Sequence, residues 1–456
     1  MSKSERSLRV AIVGAGPAGI YAANALIETS TPVSVDLFER LPAPFGLIRY
    51  GVAPDHPRIK GIVSALHKVL DKPQVRLLGN VEYGRDIDLA FLRKFYDAVI
   101  FSTGADSDRE LEIPGVALAG SHGAADFVAW YDGHPDVPRE WSLDAEQVAV
   151  LGVGNVALDV ARVLAKPADE LRTTEIPANV MQCLASSRVR DVHVFGRRGP
   201  AQAKFSPLEL RELDHSESIR VVVDPEDLVL DAASEQACRE SKQVEMVVST
   251  LRAWSDRGPS PEPRRIHLHF LQSPVAVLGA DGHVTGLRTE QMRLDGTGGV
   301  RGTGVFRHWP IQAVYRAVGY RSRSLQDLPF DERRAVVPNE GGRVHTLDGQ
   351  RVEAAYVTGW IKRGPVGLIG HTKGDANETV ANLLADAAHE SGRSIDFSKQ
   401  APLDDLARRG VRPTTWEGWY RLDALERTRG SAEGRERVKV VDRDVMIEVS
   451  TTEVGH

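Results

Sequence analysis

Two separate runs of strand, glycine turn and helix, and an apolar run near the end that would rejoin the first of them, predict an α/β fold. The expected architecture is two Rossmann-like dinucleotide-binding domains, one inserted into the other. The outer domain is expected over residues 1–106 and 331–456, with a C-terminal extension, and the insertion over 107–330. A chain of 456 residues with 42% hydrophobic content is long enough for two or three such domains.

The first run is Leu8 to Val13, an apolar strand, followed by Gly14-Ala15-Gly16-Pro17-Ala18-Gly19 and a helical stretch from Ile20 to Glu28. Gly14 permits a tight turn, and Gly16 lets backbone amides approach a pyrophosphate. Gly19 lets the helix lie close on the strand, so that its N-terminus faces the anion. A second strand, Val33 to Phe38, ends at Glu39, 20 residues beyond Gly19. A carboxylate at that spacing can accept hydrogen bonds from the hydroxyls of an adenosine ribose.

The second run is Gln147 to Leu151, the turn Gly152-Val153-Gly154-Asn155-Val156-Ala157, and a helix from Leu158 to Ala165. Its next strand, Asp191 to Phe195, ends in Gly196-Arg197-Arg198 instead of an acid. Two guanidiniums there suit the 2′-phosphate of NADP, which a carboxylate would repel. The spacing to Arg197 is longer than usual, so an insertion, helical around Ala165 to Arg188, is expected between. Strands Tyr96 to Thr103 and Ala313 to Tyr320 leave the two units, and Ala354 to Gly359 returns to the first sheet. Ser255 to Pro263 and Asp295 to Gly304 read as turn-rich loops.

An acid-ended site beside an arginine-ended one is the arrangement of flavin reductases, with FAD held at the first and NADP(H) received at the second. The net charge of −6 gives no general attraction for nucleic acid or anionic membranes. The two cysteines, Cys183 and Cys238, form no C-x-x-C pair and cannot ligate an iron–sulfur cluster by themselves. A short polar lead before the first strand and the lack of a spanning apolar stretch predict a cytoplasmic protein.

Six stretches carry a more specific resemblance: GAGPAG (14–19), PFGLIRYGVAPDHPRIK (44–60), GNVALDVAR (154–162), GRRGP (196–200), LELRE (208–212) and WIKRGPVGLIG (360–370). Over nearly its whole length the chain resembles the adrenodoxin reductase family, which includes bacterial NADPH–ferredoxin reductases. The resemblance implies FAD contacts at Ala18, Glu39, Leu47, Val81, Trp360 and the backbone of Gly367, Leu368 and Ile369. It implies NADP contacts at Arg109, Val153, Gly154, Asn155, Val156, Arg197, Arg198, Glu209 and Gly367. It also puts His56 and Glu212 near the flavin–nicotinamide contact, where they would orient groups or supply a proton. Related flavoproteins of other families carry Gly-Asp where this chain has Gly359-Trp360, so the departure agrees with the resemblance. Gly364, Pro365, Gly367 and Gly370 keep that loop thin beside a flavin. Ser206-Pro207-Leu208-Glu209 fits a helix-capping box as well, and Asp55-His56-Pro57 can begin a helix.

The implied activity is hydride transfer from NADPH to FAD, then single-electron transfer to a ferredoxin-type iron–sulfur protein. Arg188, Arg190, Arg197, Arg198 and Lys204, against the single acid Asp191, suggest a basic surface for such an acidic partner, with docking near Arg188 and Arg190. The rival readings are an electron-adapter subunit of a glutamate-synthase-like complex, a flavin monooxygenase and a non-enzymatic flavin redox sensor. The first would carry a cysteine-rich cluster region ahead of the first strand, which is missing here.

Overall fold

The computed structural model describes residues 7–56, 60–258, 264–367, 369–389 and 395–452. They form two compact units: Met1–Val52 with His56–Ser107 and Tyr320–His456, and Ala53–Asp55 with Asp108–Gly319. Residues 320–330, assigned from sequence to the insertion, go with the first unit.

The first unit is built on a seven-stranded sheet. Its order is Asn339–Glu340, Arg343–His345, Arg351–Val357, Ala98–Phe101, Leu8–Val13, Val33–Phe38 and Val75–Leu78. The last five strands run parallel. Alternate residues of Leu8–Val13 face two different cores, which is why this strand reads as continuously apolar. Val10 and Ile12 pack with Ile20 and Ala23 of the helix Pro17–Ile27 and with Val380 and Leu383 of the helix Ile369–His389. Ala11 and Val13 pack with Phe91, Phe95 and Ile361 on the other side. The returning strand pairs with Ala98–Phe101, at Ala355 to Val99.

The second unit has a six-stranded parallel sheet in the order Ser121–Gly123, Ala313–Arg316, Gln147–Leu151, Asp191–Phe195, Arg264–His269 and Ile219–Val223. Val148 and Val150 face the helices, whereas Ala149 and Leu151 face a core that includes Val277, Val284 and Leu287 of a three-stranded antiparallel sheet. The insertion between turn and arginines contains helices Ala168–Leu171 and Ala178–Ala185. On the sheet face beside Trp309 stand three histidines. Burial and neighbouring rings push His193 down to about 4 and His269 to about 3, and burial lowers His267 as well.

Two expectations are corrected. Ala313 to Tyr320 is not one strand, because Gly319 adopts φ +118 and ends the run, leaving Ala313–Arg316 and a separate pair Tyr320–Arg321. Asp295 to Gly304 is only partly a loop, since Val300–Trp309 is a strand in which Gly302 pairs with Met292, and Gly304 lies in the register irregularity between that pair and Phe306 opposite Glu290. Residues 259–263 of the other expected loop, and Pro57, lie outside the described residues.

Candidate functional site

The open end of the first sheet is its C-terminal edge, where the crossover loops collect. Gly14 sits at φ +108, and a Cβ there would stand 2.6 Å from the Ser102 carbonyl oxygen. A Cβ on Gly19 would meet the Gly14 carbonyl oxygen at 2.0 Å, so only glycine lets the helix start this close to the turn. Gly16 is the N-cap, and Pro17 opens the helix without wasting a donor. The Ser102 hydroxyl donates within 3.0 Å of the carbonyl oxygens of Val13 and Gly14, closing the turn from the neighbouring strand.

Glu39 is buried at the end of its strand and accepts from the backbone N–H of Ala15 at 2.9 Å and of Leu41 at 3.1 Å. Burial pushes its carboxyl up, against those two bonds. Val81, also buried, donates its N–H to the Glu39 carbonyl oxygen at 2.9 Å. Phe45 donates to the Ala15 carbonyl at 2.8 Å, and Gly46, at φ +49, brings the following chain against Gly16. Leu47, half-buried, starts the short helix Leu47–Tyr50 at that point. The PFGLIRY stretch therefore lies on the first glycine turn.

A further piece comes from the returning strand. Gly359, at φ +71, would place a Cβ 2.6 Å from Ala18 Cβ, so this crossover closes on the start of the first helix. Trp360 is half-buried, tilted on Tyr320 at 6.0 Å. Gly364 and Gly367 are both left-handed, and Gly367 is exposed at the loop leading to the helix Ile369–His389. Leu368 lies outside the described residues. The sequence reading missed Thr358: it is fully buried at this edge and its hydroxyl has no hydrogen-bond partner among the described residues. A buried hydroxyl left open at a glycine-lined edge fits a bound polar group that completes it. The extended adenosine diphosphate of FAD matches this set of amides, acid and thin backbone.

The C-terminal extension, which the sequence left without a role, braces that cradle. Phe45 stacks on His67 at 5.1 Å and meets Trp416 and Trp419 edge-on. Trp416 and Tyr420 both donate to Asp71 Oδ1, at 2.8 and 2.7 Å. Glu426, with no exposed surface, accepts from Arg49 at 2.5 and 3.1 Å and from Arg437 at 3.1 Å.

The second unit repeats the first edge with different chemistry. Gly152, at φ +135, would drive a Cβ to 2.2 Å from the Ala317 carbonyl oxygen, whereas a Cβ on Gly154 would meet nothing within 4 Å. Gly154 thus keeps the N-terminus of the helix Asn155–Ala165 open. Asn155 Oδ1 accepts from the Ser206 N–H at 2.9 Å, and the Ser206 hydroxyl caps the helix Pro207–Glu212 by accepting from Glu209 N–H at 3.2 Å. Val153 accepts from the Lys204 N–H at 2.9 Å. The turn, its helix and the buried Glu209 are therefore one connected piece, with Val156 and Glu212 half-buried. Arg197 is exposed and Arg198 half-buried directly past the strand end, and neither makes an ion pair among the described residues. Arg109 is exposed, its N–H donating to the Gly319 carbonyl at 2.8 Å.

His56, 4% exposed, belongs to the first unit, and Glu209 and Glu212 belong to the second. The adjoining Asp55 was overlooked. It accepts from Arg162 at 2.8 and 2.9 Å and from Lys166 at 2.7 Å, tying Asp55 to the end of the helix Asn155–Ala165. Burial alone would raise its carboxyl, but these two cations hold it far below the usual carboxylate range.

The basic run does not form one surface. Arg188 and Arg190 lead into the strand Asp191–Phe195, whereas Arg197, Arg198 and Lys204 follow it, so the two groups lie at opposite ends of the strand. Arg188 is also paired with Glu146 at 2.7 Å, and Asp191 is spent on Arg265 and His267. Charges adjacent in sequence are divided by the strand between them.

Residues 8–193 match the family model described as pyridine nucleotide-disulphide oxidoreductase. Cys183 and Cys238 of this chain are free thiols, both half-buried. The chain is 40% identical to the NADPH-ferredoxin reductase FprA of Mycobacterium leprae, covering 94% of this chain and 96% of that one. It is 36% identical to the mitochondrial NADPH:adrenodoxin oxidoreductase of Arabidopsis thaliana, covering 96% and 95%. A solved structure of Mycobacterium tuberculosis FprA in complex with NADPH superimposes with a TM-score of 0.91 at 38% identity, over 98% of this chain and all of that one. No helix among the described residues is long and apolar enough to cross a membrane. The two dissimilar dinucleotide edges and this near full-length similarity agree, and the chain belongs to the adrenodoxin reductase and NADPH–ferredoxin reductase family of flavoproteins.

Proposed function

We propose that this chain is a ferredoxin–NADP+ reductase, binding FAD on the first glycine turn and NADP(H) on the second and passing electrons to a ferredoxin-type iron–sulfur protein. The observation that carries this is the asymmetry of the two edges. One ends in the buried Glu39, the other in Arg197 and Arg198, which make no ion pair among the described residues. Bound FAD supplies the conversion of a two-electron hydride into single electrons.

The chain's own residues hold and orient. Glu39 keeps lone pairs for ribose hydroxyls, and the helix N-terminus that Gly16 caps faces the pyrophosphate. Ala18, Leu47, Val81 and Trp360 wall the cradle, and Gly367 keeps it thin. In the second unit Val153 to Val156 present the helix N-terminus, Arg197 and Arg198 hold the 2′-phosphate, and Arg109 and Glu209 complete the site. Closeness of the reacting rings matters more than acid–base chemistry for hydride transfer. His56 and Glu212 accordingly serve to orient groups or to deliver a proton from an imidazole nitrogen or carboxyl oxygen.

The purified protein is expected to be yellow, with one FAD per chain released intact by heat or acid. A colourless protein that cannot be reconstituted with FAD would end the reading. The partner's acidity gives a second expectation, with Arg188 and Arg190 as its docking residues. Exposed charges are screened over about 8 Å at physiological ionic strength. Raising salt at saturating NADPH should slow ferredoxin reduction while leaving ferricyanide reduction nearly unchanged. Reversing both arginines to Glu should do the same. A normal ferredoxin rate in that double variant would remove them from the docking surface.

A further inference from the structure

A third cation stands close to the two arginines of the second edge, and the reductase reading makes no use of it. Lys204 is exposed and makes no ion pair among the described residues. Its backbone is nonetheless fixed, because the Lys204 N–H donates to the Val153 carbonyl at 2.9 Å and, two residues on, the Ser206 N–H donates to Asn155 Oδ1 at 2.9 Å. Val153 and Asn155 flank Gly154, the N-cap of the helix Asn155–Ala165. The segment from Lys204 to Ser206 therefore runs along the second glycine turn.

The neighbours of Lys204 settle its direction. Ala203, extended at φ −60 and ψ 145, packs against the core of the second unit, and Phe205 is buried in that core. Alternation turns the intervening Lys204 side chain out of the core. The turn itself is bare: no side chain caps the helix at Gly154, and a Cβ there would meet nothing within 4 Å. A helix N-terminus supplies only about half a unit of positive charge, whereas a dinucleotide carries a negative charge on each phosphate of its diphosphate. Arg197 and Arg198 are placed differently, directly past the strand Asp191–Phe195, with the turn Pro200–Gln202 between them and Lys204.

We propose that Lys204 binds the diphosphate of NADP(H), so that the cations of this edge are divided between two phosphate groups. The arginines take the 2′-phosphate, and Lys204 takes the diphosphate, which NADH also carries. The assignment rests on the reading of this edge as the NADP(H) site. A lysine ammonium is a point charge on a flexible stem and can serve either phosphate of the pair, whereas the planar forks of the arginines suit a terminal phosphate. Lys204 thus sets how tightly either coenzyme binds, and the arginines set which one is preferred.

Calorimetric titration of the oxidised holoprotein with NADP+, and with 2′-AMP, which has the 2′-phosphate but no diphosphate, tests the division. Lys204→Ala should weaken NADP+ binding by about 5–10-fold, between the effect of an exposed ion pair and that of a hydrogen bond to a charged group. Binding of 2′-AMP should be unchanged, which also shows that the variant is folded, and Lys204→Arg should keep most of the NADP+ affinity. In Lys204→Ala the kcat/KM values for NADPH and NADH should fall by the same factor, leaving intact the ratio that the arginine replacements lower, with kcat at saturating NADPH as in the wild type. An unchanged NADP+ affinity in Lys204→Ala would overturn the assignment. So would a loss confined to NADPH and 2′-AMP, which would move Lys204 to the 2′-phosphate. Failure of the underlying reading looks different, because the wild type would then bind neither probe.

Discussion

Replacing Arg197 and Arg198 together by Ala is expected to lower the preference for NADPH over NADH by about 100-fold or more, with single replacements costing at least about tenfold. Each guanidinium supplies a charge-assisted bond to the 2′-phosphate worth roughly 1.5–3 kcal/mol. Both are placed for it, since they follow the last residue of the strand Asp191–Phe195 and neither is committed to an acid among the described residues. NADH lacks the phosphate, so its kcat/KM should hardly move while that of NADPH falls, chiefly through KM. Steady-state kinetics with both coenzymes decides the matter. An unchanged ratio would put the phosphate elsewhere.

Glu426→Ala should be the most damaging change in the C-terminal extension. It removes the carboxylate that Arg49 and Arg437 share inside the first unit, where the three side chains are 0, 5 and 9% exposed respectively. Breaking a buried pair strands its partners without charge compensation and costs about 3–5 kcal/mol. Arg49 lies on the stretch that covers the first glycine turn, so the loss should appear as faster flavin release along with a lower Tm. Thermal unfolding followed by protein and by flavin fluorescence reads both. A variant that unfolds and releases flavin like the wild type would show that the extension does not brace the cradle.

The difference between these two predictions reflects what a sequence discloses. Leu8–Val13, Val33–Phe38, Gln147–Leu151 and Asp191–Phe195 were legible to the residue because each strand is buried on both faces and bounded by a glycine turn or a charge. The roles of Gly14 and Gly19 were legible too, since strand-to-helix turns leave room for little else. What stayed hidden depends on contacts distant in sequence. Arg49 and Glu426 are 377 positions apart, and Asp55 and Arg162 are 107 apart. No local pattern announces either pair. Thr358 sits one residue before the noticed Gly359-Trp360, yet only its burial reveals its open hydroxyl. The basic run misled for the converse reason: neighbours in sequence were divided by a strand.

The central claim is that electrons pass from NADPH through this chain to an iron–sulfur protein, and NADPH-driven reduction of cytochrome c with and without added ferredoxin tests it most directly. The account predicts slow reduction by the flavoprotein alone and a large, saturable acceleration by ferredoxin, lost in the Arg197→Ala and Arg198→Ala double variant at subsaturating NADPH. Negligible NADPH oxidation with every acceptor would indicate a redox sensor. NADPH consumption indifferent to ferredoxin but stoichiometric with a hydroxylated product would indicate a monooxygenase, and either result would contradict the account.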